Sequence, residues 1–390
     1  MNLQLVTGNH AAGHSMSLAG EANRNARGVV CGIYPITPQT EIVEYVARFP
    51  FSKGSVIPVE SEHSAMGVCI GASINGARSF TASSSNGLAY MAENVMVAAF
   101  YRLPIVMAAV NRTLGPPWNI WADQGDSLMF RDFAWIQFYC DTSQDVADTA
   151  MLAFRVAEDP RVLLPVMVCM DAFIVSHTSM EIELATQEQA DRFLPPCEIP
   201  HHLDAAHPVT AGGMTFPQDT LTHRLELDEA MRGVPAIVDE HRACFRDVFG
   251  RDVAGAVNAY RTEDADRIFI ASGTISITLK DVVDEWRERG EKVGLLRIKM
   301  FRPFPSSEVR ERCRHAEKIA VLDRNYSAGT GGIFCHEVRS SLQGQGNQII
   351  QGYLTGVGGG DVVPELVHEV VADLSNRSAA GDPVWKGIES

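Results

Sequence analysis

Short apolar runs alternate with amphipathic stretches through the first half of the chain. The runs are rich in Val, Ile, Ala and Cys, which is typical of strands that are buried on both faces. The predicted strands are 29–34, 55–59, 78–82, 104–110 and 162–170, and the predicted helices between them are 40–49, 63–75 and 88–99. Buried strands separated by helices indicate a parallel sheet that is covered by helices on both faces.

The same alternation restarts in the second half, after a region without periodicity. Residues 195–222 are rich in Pro, His and Gly and are predicted to be irregular, whereas 225–249 has a helical pattern that ends at Gly250. The second set of predicted elements is 268–271, 275–289, 292–298, a turn at 301–305, 306–314 and 318–323. The pattern therefore predicts two α/β domains, over 1–255 and 256–390.

Composition argues against several classes of function. Asp and Glu number 48 against 33 Lys and Arg, a net charge of −15, so neither a nucleic acid nor an anionic membrane surface is an expected partner. No apolar run reaches the roughly 18 residues of a membrane span. The N-terminus lacks the basic start and continuous apolar run of a signal peptide, and we expect a cytoplasmic protein.

Metal and nucleotide motifs are missing from the sequence. The eight cysteines form no CxxC pair and the twelve histidines form no HExxH motif, so we expect no metal site and no iron–sulfur cluster held by this chain alone. The glycine-rich segments 329–332 and 357–361 fit neither the Walker spacing nor GxGxxG. They are predicted to be turns.

Polar side chains are concentrated in loops that follow the predicted strands of the first domain. Thr37 lies in YPITP after the first strand, Glu62 in ESEH after the second, and Arg112 in NRTLGPPW after the fourth. The carboxyl ends of parallel strands share one edge, where open α/β sheets bind their ligands. A hydroxyl, a carboxyl and a guanidinium are therefore expected to converge at this edge.

Several blocks carry a resemblance to a known family. YPITPQT, VESEHSA, SSSNGLAYMAEN, NRTLGPPWNIWADQGDSLMFRDFAWIQ and RVLLPVMVCMDAFIVSH occur in this order, with FRPFP in the second domain. Together they resemble the alpha chain of the 2-oxoacid:ferredoxin oxidoreductases, most closely the pyruvate type, over nearly the whole chain. The resemblance implies a doubly wound, pyrimidine-binding thiamine diphosphate domain over 1–255 and a smaller transketolase-C-terminal-like domain over 256–390.

The resemblance also implies a reaction and partners. The reaction is the oxidative decarboxylation of a 2-oxo acid, with coenzyme A taking the acyl group and electrons passing to iron–sulfur clusters in partner subunits. A beta subunit would supply the pyrophosphate and Mg²⁺ site of the shared thiamine diphosphate, and gamma and ferredoxin-like subunits would carry the clusters. In agreement, no Gly-Asp pair of this chain continues with Gly, as the Gly-Asp-Gly metal motif requires.

The sequence alone leaves three alternatives to this assignment open. Pyruvate is the expected substrate, and a bulkier aryl 2-oxo acid such as phenylglyoxylate is the alternative. A subunit of a non-oxidative thiamine enzyme of transketolase or decarboxylase type is a second alternative, and a regulatory or scaffolding subunit without catalytic function is a third.

Glu62 matches the family position that activates the cofactor. A carboxyl group hydrogen-bonded to N1′ of the pyrimidine favours the imino tautomer that removes the C2 proton. The competing explanation is a surface carboxylate at a helix N-terminus, where the helix dipole favours it. Glu60 is the weaker alternative for the cofactor role.

Thr37 and Arg112 match family positions that orient the substrate carboxylate. A guanidinium fits a carboxylate in a two-point fork, and a hydroxyl adds a further donor. The competing explanation for Thr37 is a turn hydroxyl that bonds its own backbone beside Pro38. For Arg112 it is a structural ion pair with Asp123 or Asp126.

The remaining candidates lie in two turns. Pro35 and Ile36 are predicted to contact the cofactor, as are Ser85 and Asn86 in the polar turn 83–87, which is equally typical of a capped helix start. One further turn departs from the pyruvate enzymes, which often have Ser and Ala where Gly115 and Pro116 stand here. Gly115 would either leave room for a bulkier acid or meet a turn requirement.

Overall fold

The computed structural model describes residues 3–388, which form two large sheets and one two-stranded ribbon. The elements up to residue 249 are β1 (Leu3–Val6), α1 (Gly8–Ala22), β2 (Val29–Ile33), α2 (Thr40–Arg48), β3 (Gly54–Pro58), α3 (Glu62–Ile74), β4 (Arg78–Ser83), α4 (Ser85–Tyr90), α5 (Ala92–Phe100), β5 (Ile105–Asn111), α6 (Gly125–Leu128), β6 (Ile136–Cys140), α7 (Ser143–Ala157), β7 (Val166–Asp171), β8 (Met180–Glu183), α8 (Gln187–Phe193) and α9 (Pro217–Phe249).

The remaining elements include all six strands of the second sheet and one strand of the first. They are β9 (Val257–Tyr260), β10 (Arg267–Ala271), α10 (Ile275–Glu288), β11 (Val293–Ile298), β12 (Met300–Arg302), α11 (Ser306–Cys313), β13 (Lys318–Asp323), α12 (Ile333–Leu342), β14 (Ile349–Leu354), a 3₁₀ turn (Val357–Gly359), α13 (Pro364–Asn376) and β15 (Val384–Trp385).

The first sheet has seven strands in the order β12-β6-β7-β5-β4-β2-β3, and every pair except β12–β6 is parallel. Strand β5 is buried along its whole length because its alternate side chains point to two different cores. Val106 and Ala108 join the core under α1 and α7, whereas Ile105 and Met107 join the core under α3 and α5. This is the doubly wound arrangement that the apolar runs predict.

The second sheet has six strands in the order β15-β14-β13-β10-β11-β9, and only β9 is antiparallel to its neighbour. Strands β10 and β13 lie side by side at its centre, and the chain proceeds to opposite sides from them. Ligand crevices in open α/β sheets lie at such a reversal. The glycine-rich segments 329–332 and 357–361 are turns, as predicted.

Three local predictions differ from the structure. The predicted turn at 301–305 begins as strand β12, which pairs with β6 and so extends the first sheet with a strand from the second half of the chain. The predicted helix 88–99 is two helices, α4 and α5, that meet at Met91. The predicted irregular region 195–222 ends earlier, because α9 begins at Pro217. The division of the chain at 255/256 stays a prediction.

Helix α1 has no counterpart in the sequence-based prediction. Its sequence consists largely of small residues, and most of them are buried against α2, α7 and α8. A helix that is covered on nearly all sides has no polar face, so the hydrophobic pattern lacks the 3.6-residue period. All eight cysteines are free thiols, and no helix within residues 3–388 is both long and apolar enough to cross a membrane.

Candidate active site

Arg112 and Thr37 meet at the carboxyl edge of the first sheet. Arg112 Nη1 donates to the backbone oxygen of Thr37 at 2.6 Å, and Arg112 Nε donates to the backbone oxygen of Asn119 at 3.2 Å. The side chain of Arg112 makes no ion pair within residues 3–388; Asp126 accepts its backbone N–H instead, at 3.0 Å. The two loops therefore converge as predicted, and the structural ion pair is not formed.

The turn that carries Thr37 is held by two buried amide side chains. Asn9 Nδ2 donates to the oxygen of Pro38 at 2.7 Å, and Gln39 Nε2 donates to the oxygen of Tyr34 at 2.7 Å. The hydroxyl of Thr37 makes no hydrogen bond in the described part of the chain, and the residue is exposed. A turn fixed by other side chains thus leaves this hydroxyl available to a ligand.

The same turn carries the two apolar candidates. Pro35 is exposed and Ile36 is half-buried, and both lie between the strand end and Thr37. Their predicted contact with the cofactor stays a prediction. No sequence pattern singles out Asn9 or Gln39, because burial is what makes their amides structural.

Glu62 is the first residue of α3 and is buried, with 7% of its surface exposed. It makes no hydrogen bond or ion pair within residues 3–388, while the helix terminus favours a negative charge there. Glu60 is exposed and accepts a hydrogen bond from the Ser64 hydroxyl, which lowers the pKa of Glu60. Of the two carboxyls, Glu62 is therefore the one that faces the interior.

The backbone of Gly87 in α4 lies against the side chains of Glu62 and Ser83. A Cβ atom on Gly87 would stand 2.6 Å from Glu62 Oε1 and 2.7 Å from Ser83 Oγ. The Ser83 hydroxyl is buried and has no hydrogen-bond partner among residues 3–388. A carboxyl and a hydroxyl, neither with a hydrogen-bond partner within residues 3–388, thus meet at Gly87, where a side chain has no room.

The side chain of Asp126 connects the turn at Ser85 with the loop at Arg112. Its buried carboxylate accepts hydrogen bonds from the backbone N–H of Ser85 at 2.8 Å, of Arg112 at 3.0 Å and of Ser127 at 2.8 Å, and from Asn111 Nδ2 at 2.8 Å. Burial raises the pKa of Asp126 to about 7 against these donors. Asp126 was predicted only as an ion-pair partner of Arg112, and its role as a loop anchor was not predicted, because it depends on contacts that the folded chain brings together.

Ser85 and Asn86 hold the loop that follows Arg112. Ser85 Oγ donates to the oxygen of Thr113 at 2.5 Å. Asn86 accepts from the N–H of Gly115 at 2.9 Å and donates to its oxygen at 3.1 Å. Both side chains are engaged inside the protein, and a direct contact of Ser85 or Asn86 with the cofactor stays a prediction.

Gly115 is required by a close contact. A Cβ atom there would stand 2.4 Å from Cε3 of Trp118, and Gly115 does not have a positive φ. The Trp118 ring, which is 73% exposed, therefore fills the space that a side chain at Gly115 would take. A cavity of about 390 Å³ lies beside it and is lined by Arg112 and residues 118–121.

The chain matches two protein family models. The family described as pyruvate flavodoxin/ferredoxin oxidoreductase, thiamine diphosphate-binding, matches residues 21–243. The chain belongs to this family. Residues 265–367 match a second model, pyruvate:ferredoxin oxidoreductase core domain II. The oxidoreductase fold expected from the sequence, a thiamine diphosphate-binding domain followed by a second α/β domain, is thereby confirmed.

Relatives of the oxidoreductase chain match it over its whole length. Pyruvate synthase subunit PorA of Methanothermobacter thermautotrophicus is 42% identical, over 100% of this chain and 99% of the relative. Ketoisovalerate oxidoreductase subunit VorA of Pyrococcus abyssi is 40% identical, over 97% and 95%, and PorA of Thermotoga maritima is 41% identical, over 97% and 95%. The chain is therefore a subunit of a 2-oxoacid:ferredoxin oxidoreductase.

Solved structures support the fold of this oxidoreductase subunit. The 2-oxoglutarate:ferredoxin oxidoreductase from Magnetococcus marinus with 2-oxoglutarate, coenzyme A and succinyl-CoA bound aligns with a TM-score of 0.72 at 18% identity, covering 95% of this chain and 65% of that chain. A split gene transketolase, an inactive beta4 tetramer, aligns with a TM-score of 0.55 at 12% identity, covering 95% and 97%.

Proposed function

We propose that the chain is the alpha subunit of a thiamine diphosphate-dependent enzyme that oxidatively decarboxylates pyruvate and transfers the acyl group to coenzyme A. The observation that carries this proposal is that Glu62, buried and without a partner within residues 3–388, and the joined pair Thr37–Arg112 follow strands that end at one edge of the sheet. Pyruvate synthase subunits are among the relatives that match the whole chain. The Trp118 ring over Gly115 also favours a small substrate side chain over an aryl group.

The site beside Gly87 offers polar groups to the aminopyrimidine of thiamine diphosphate. These groups are a carboxyl and a hydroxyl without partners within residues 3–388, which suit a flat ring with polar edges. When bound, the cofactor supplies the carbon nucleophile and the electron sink for loss of carbon dioxide. Glu62 would hold a proton at N1′ of the pyrimidine, and burial would keep water from competing for that hydrogen bond.

Arg112 and Thr37 would bind the carboxylate of the 2-oxo acid. Two of the guanidinium nitrogens are held by the oxygens of Thr37 and Asn119, and Nη2 makes no hydrogen bond within residues 3–388. This leaves Nη2 and the Thr37 hydroxyl as donors on one rim. A guanidinium already held by two carbonyl groups loses little freedom when it binds the anion.

The active enzyme would need further chains. We propose a beta subunit with the pyrophosphate and Mg²⁺ site, because this sequence has no Gly-Asp-Gly motif, and gamma and ferredoxin-like subunits with the iron–sulfur clusters, because it has no CxxC motif. The exposed apolar side chains beside Arg112 would be covered in that complex: Trp118 at 73%, Ile120 at 40% and Trp121 at 52%. We propose that this complex works in the cytoplasm.

The test is the substitution Glu62→Gln in the complex co-expressed with its partner subunits. The amide cannot hold the proton as the carboxyl does, so turnover with pyruvate should nearly vanish while the complex still assembles. Glu60→Gln is the matched control and should retain activity. Wild-type rates of Glu62→Gln would remove Glu62 from the mechanism.

A substrate panel tests the rest of the proposal. Pyruvate should give the highest kcat/KM among pyruvate, 2-oxoglutarate, a branched 2-oxo acid and phenylglyoxylate. Thiamine should copurify only when the partners are co-expressed, and the chain alone should show no iron–sulfur absorbance. A higher kcat/KM for phenylglyoxylate would replace the substrate assignment, and thiamine bound to the isolated chain would contradict a shared site.

A further inference from the structure

The glycine-rich turn after β14 contacts the loop that follows Arg112. The oxygen of Gly358 accepts a hydrogen bond from Asn119 Nδ2 at 2.8 Å, and the N–H of Gly358 donates to Asp123 Oδ2 at 3.2 Å. Gly358 has φ +70°, a backbone conformation that other residues rarely adopt. One residue of the second half of the chain therefore contacts the Arg112 loop at two points.

Asn119 extends this contact to Arg112. Its backbone oxygen accepts from Arg112 Nε at 3.2 Å, and its side-chain oxygen accepts from the N–H of Trp121 at 2.6 Å. Asn119 thus joins the guanidinium, its own loop and Gly358. If Asn119 moves, one of the two carbonyl groups that hold Arg112 moves with it.

Residues of the first half of the chain also occupy the carboxyl edge of the second sheet, beside the glycine-rich turn. A doubly wound sheet usually binds its ligand where the strand order reverses, which is here between β10 and β13. Asp171, at the end of β7, accepts the N–H of Thr274 there at 2.9 Å, and a Cβ atom on Gly273 would stand 2.7 Å from Gln124 Nε2. The crevice is thus filled by protein, and this edge serves as a support for the site loops.

We propose that Asn119 is a positioning residue for Arg112, through which the glycine-rich turn at Gly358 sets the affinity for the carboxylate of the substrate. This inference rests on the proposed function, because it assigns Arg112 to the 2-oxo acid. Asn119 itself touches neither substrate nor cofactor in this account. Its effect is confined to the placement of the guanidinium.

The test is Asn119→Asp in the assembled complex. Asp keeps the acceptor for the N–H of Trp121 but cannot donate to Gly358, and it places a carboxylate oxygen against a carbonyl oxygen. We expect KM for the 2-oxo acid to rise about tenfold, kcat to change less than about threefold, and KM for coenzyme A to stay unchanged. A loss of general integrity would change both KM values together, which would overturn the proposal.

A second variant decides whether Asn119 acts through Arg112. In an Arg112→Ala background, Asn119→Asp should have almost no further effect on KM, because coupled residues are not additive. Equal effects of Asn119→Asp with and without Arg112 would overturn the proposal, as would an unchanged KM in the single variant.

A control separates the inference from the proposed function. Asn75→Asp removes a comparable bond, from Asn75 Nδ2 to the oxygen of Gly71 at 2.7 Å, away from Arg112, and should leave KM for the 2-oxo acid unchanged. If the wild-type complex oxidises no 2-oxo acid, the proposed function fails. If it does so and Asn119→Asp behaves like Asn75→Asp, only the positioning role fails.

Discussion

The carboxylate of Glu62 lies so close to the backbone of Gly87 that a methyl group on Gly87 would stand 2.6 Å from Glu62 Oε1. Gly87 lies within a helix and has no positive φ, so the glycine is required for space. Gly87→Ala should displace the Glu62 carboxyl. We expect kcat with pyruvate to fall at least about tenfold, since a misplaced catalytic group costs on this scale or more.

Gly233→Ala is the control for that substitution. The nearest atom to a Cβ there is Ile237 Cδ1 at 3.9 Å, and the residue lies within helix α9, where alanine is favoured over glycine. This variant should keep full activity and equal or higher thermal stability. Equal activity of the two variants would show that Glu62 does not require Gly87.

Arg112→Ala should raise KM for the 2-oxo acid strongly and lower kcat, because it removes the charged donor proposed for the carboxylate. Arg112→Lys should recover only part of the loss. Arginine reaches the oxygens of Thr37 and Asn119 with two separate nitrogens, whereas lysine has a single donor nitrogen. Arg48→Ala, at an exposed position, is the control in steady-state kinetics. A change in the melting temperature of Arg112→Ala without a change in KM would point to a purely structural arginine.

Arg78 and Glu158 form an ion pair in the interior. Arg78 is fully buried, and its Nε and Nη2 donate to the two oxygens of Glu158 at 2.6 Å each. Glu158→Gln would leave a buried guanidinium without its counter-charge, which costs about 3–5 kcal/mol in the free energy of unfolding. Urea denaturation of the chain within its complex measures this loss.

Glu44→Gln is the matched substitution at the surface. Glu44 and Arg48 are exposed and 3.7 Å apart, and a helix pair of this kind contributes roughly 0.3–0.5 kcal/mol. The two substitutions should therefore differ about sixfold or more in their effect on unfolding. Comparable losses would mean that the charge of Arg78 is compensated by its backbone contacts alone.

Asp126 should make stability depend on pH near neutrality. Burial raises its pKa from the ordinary 3.8 to about 7, so the folded state binds a proton that the unfolded state has already released. Its contribution is fully present below about pH 4 and is lost as the pH rises through about 7. We expect the free energy of unfolding to fall between pH 5 and pH 7, by up to about 1.4 kcal/mol per pH unit from this group.

Asp126→Asn should reduce that slope. Burial likewise raises the pKa of Asp323 to about 7. The variant should therefore retain the part of the pH dependence of stability that comes from Asp323. The asparagine should also lower stability at acid pH, because its NH₂ group meets N–H donors. An identical slope in wild type and variant would contradict the raised pKa of Asp126.

The candidate residues that carry a charge or a donor group could be predicted from the sequence. The residues that hold their loops in place could not. Thr37, Glu62 and Arg112 could be singled out because each follows a strand end and carries a reactive group. Asn9 and Asn119 could not, because an amide becomes a support only when the chain brings a particular carbonyl to it. Gly115 was open to two explanations, and neither was the Trp118 ring that the structure has against it.

The order of local elements determined which loops share an edge. Apolar strands separated by helices are typical of a parallel sheet, in which the loops with Thr37, Glu62 and Arg112 all lie at the carboxyl edge. The tertiary structure alone decided that β12 crosses to the first sheet, that Asp171 enters the crevice of the second, and that Gly358 contacts Asn119. These contacts join residues more than a hundred positions apart in the chain. A single sequence carries periodicity over a few residues, and no local preference specifies which distant backbone group a polar side chain will meet.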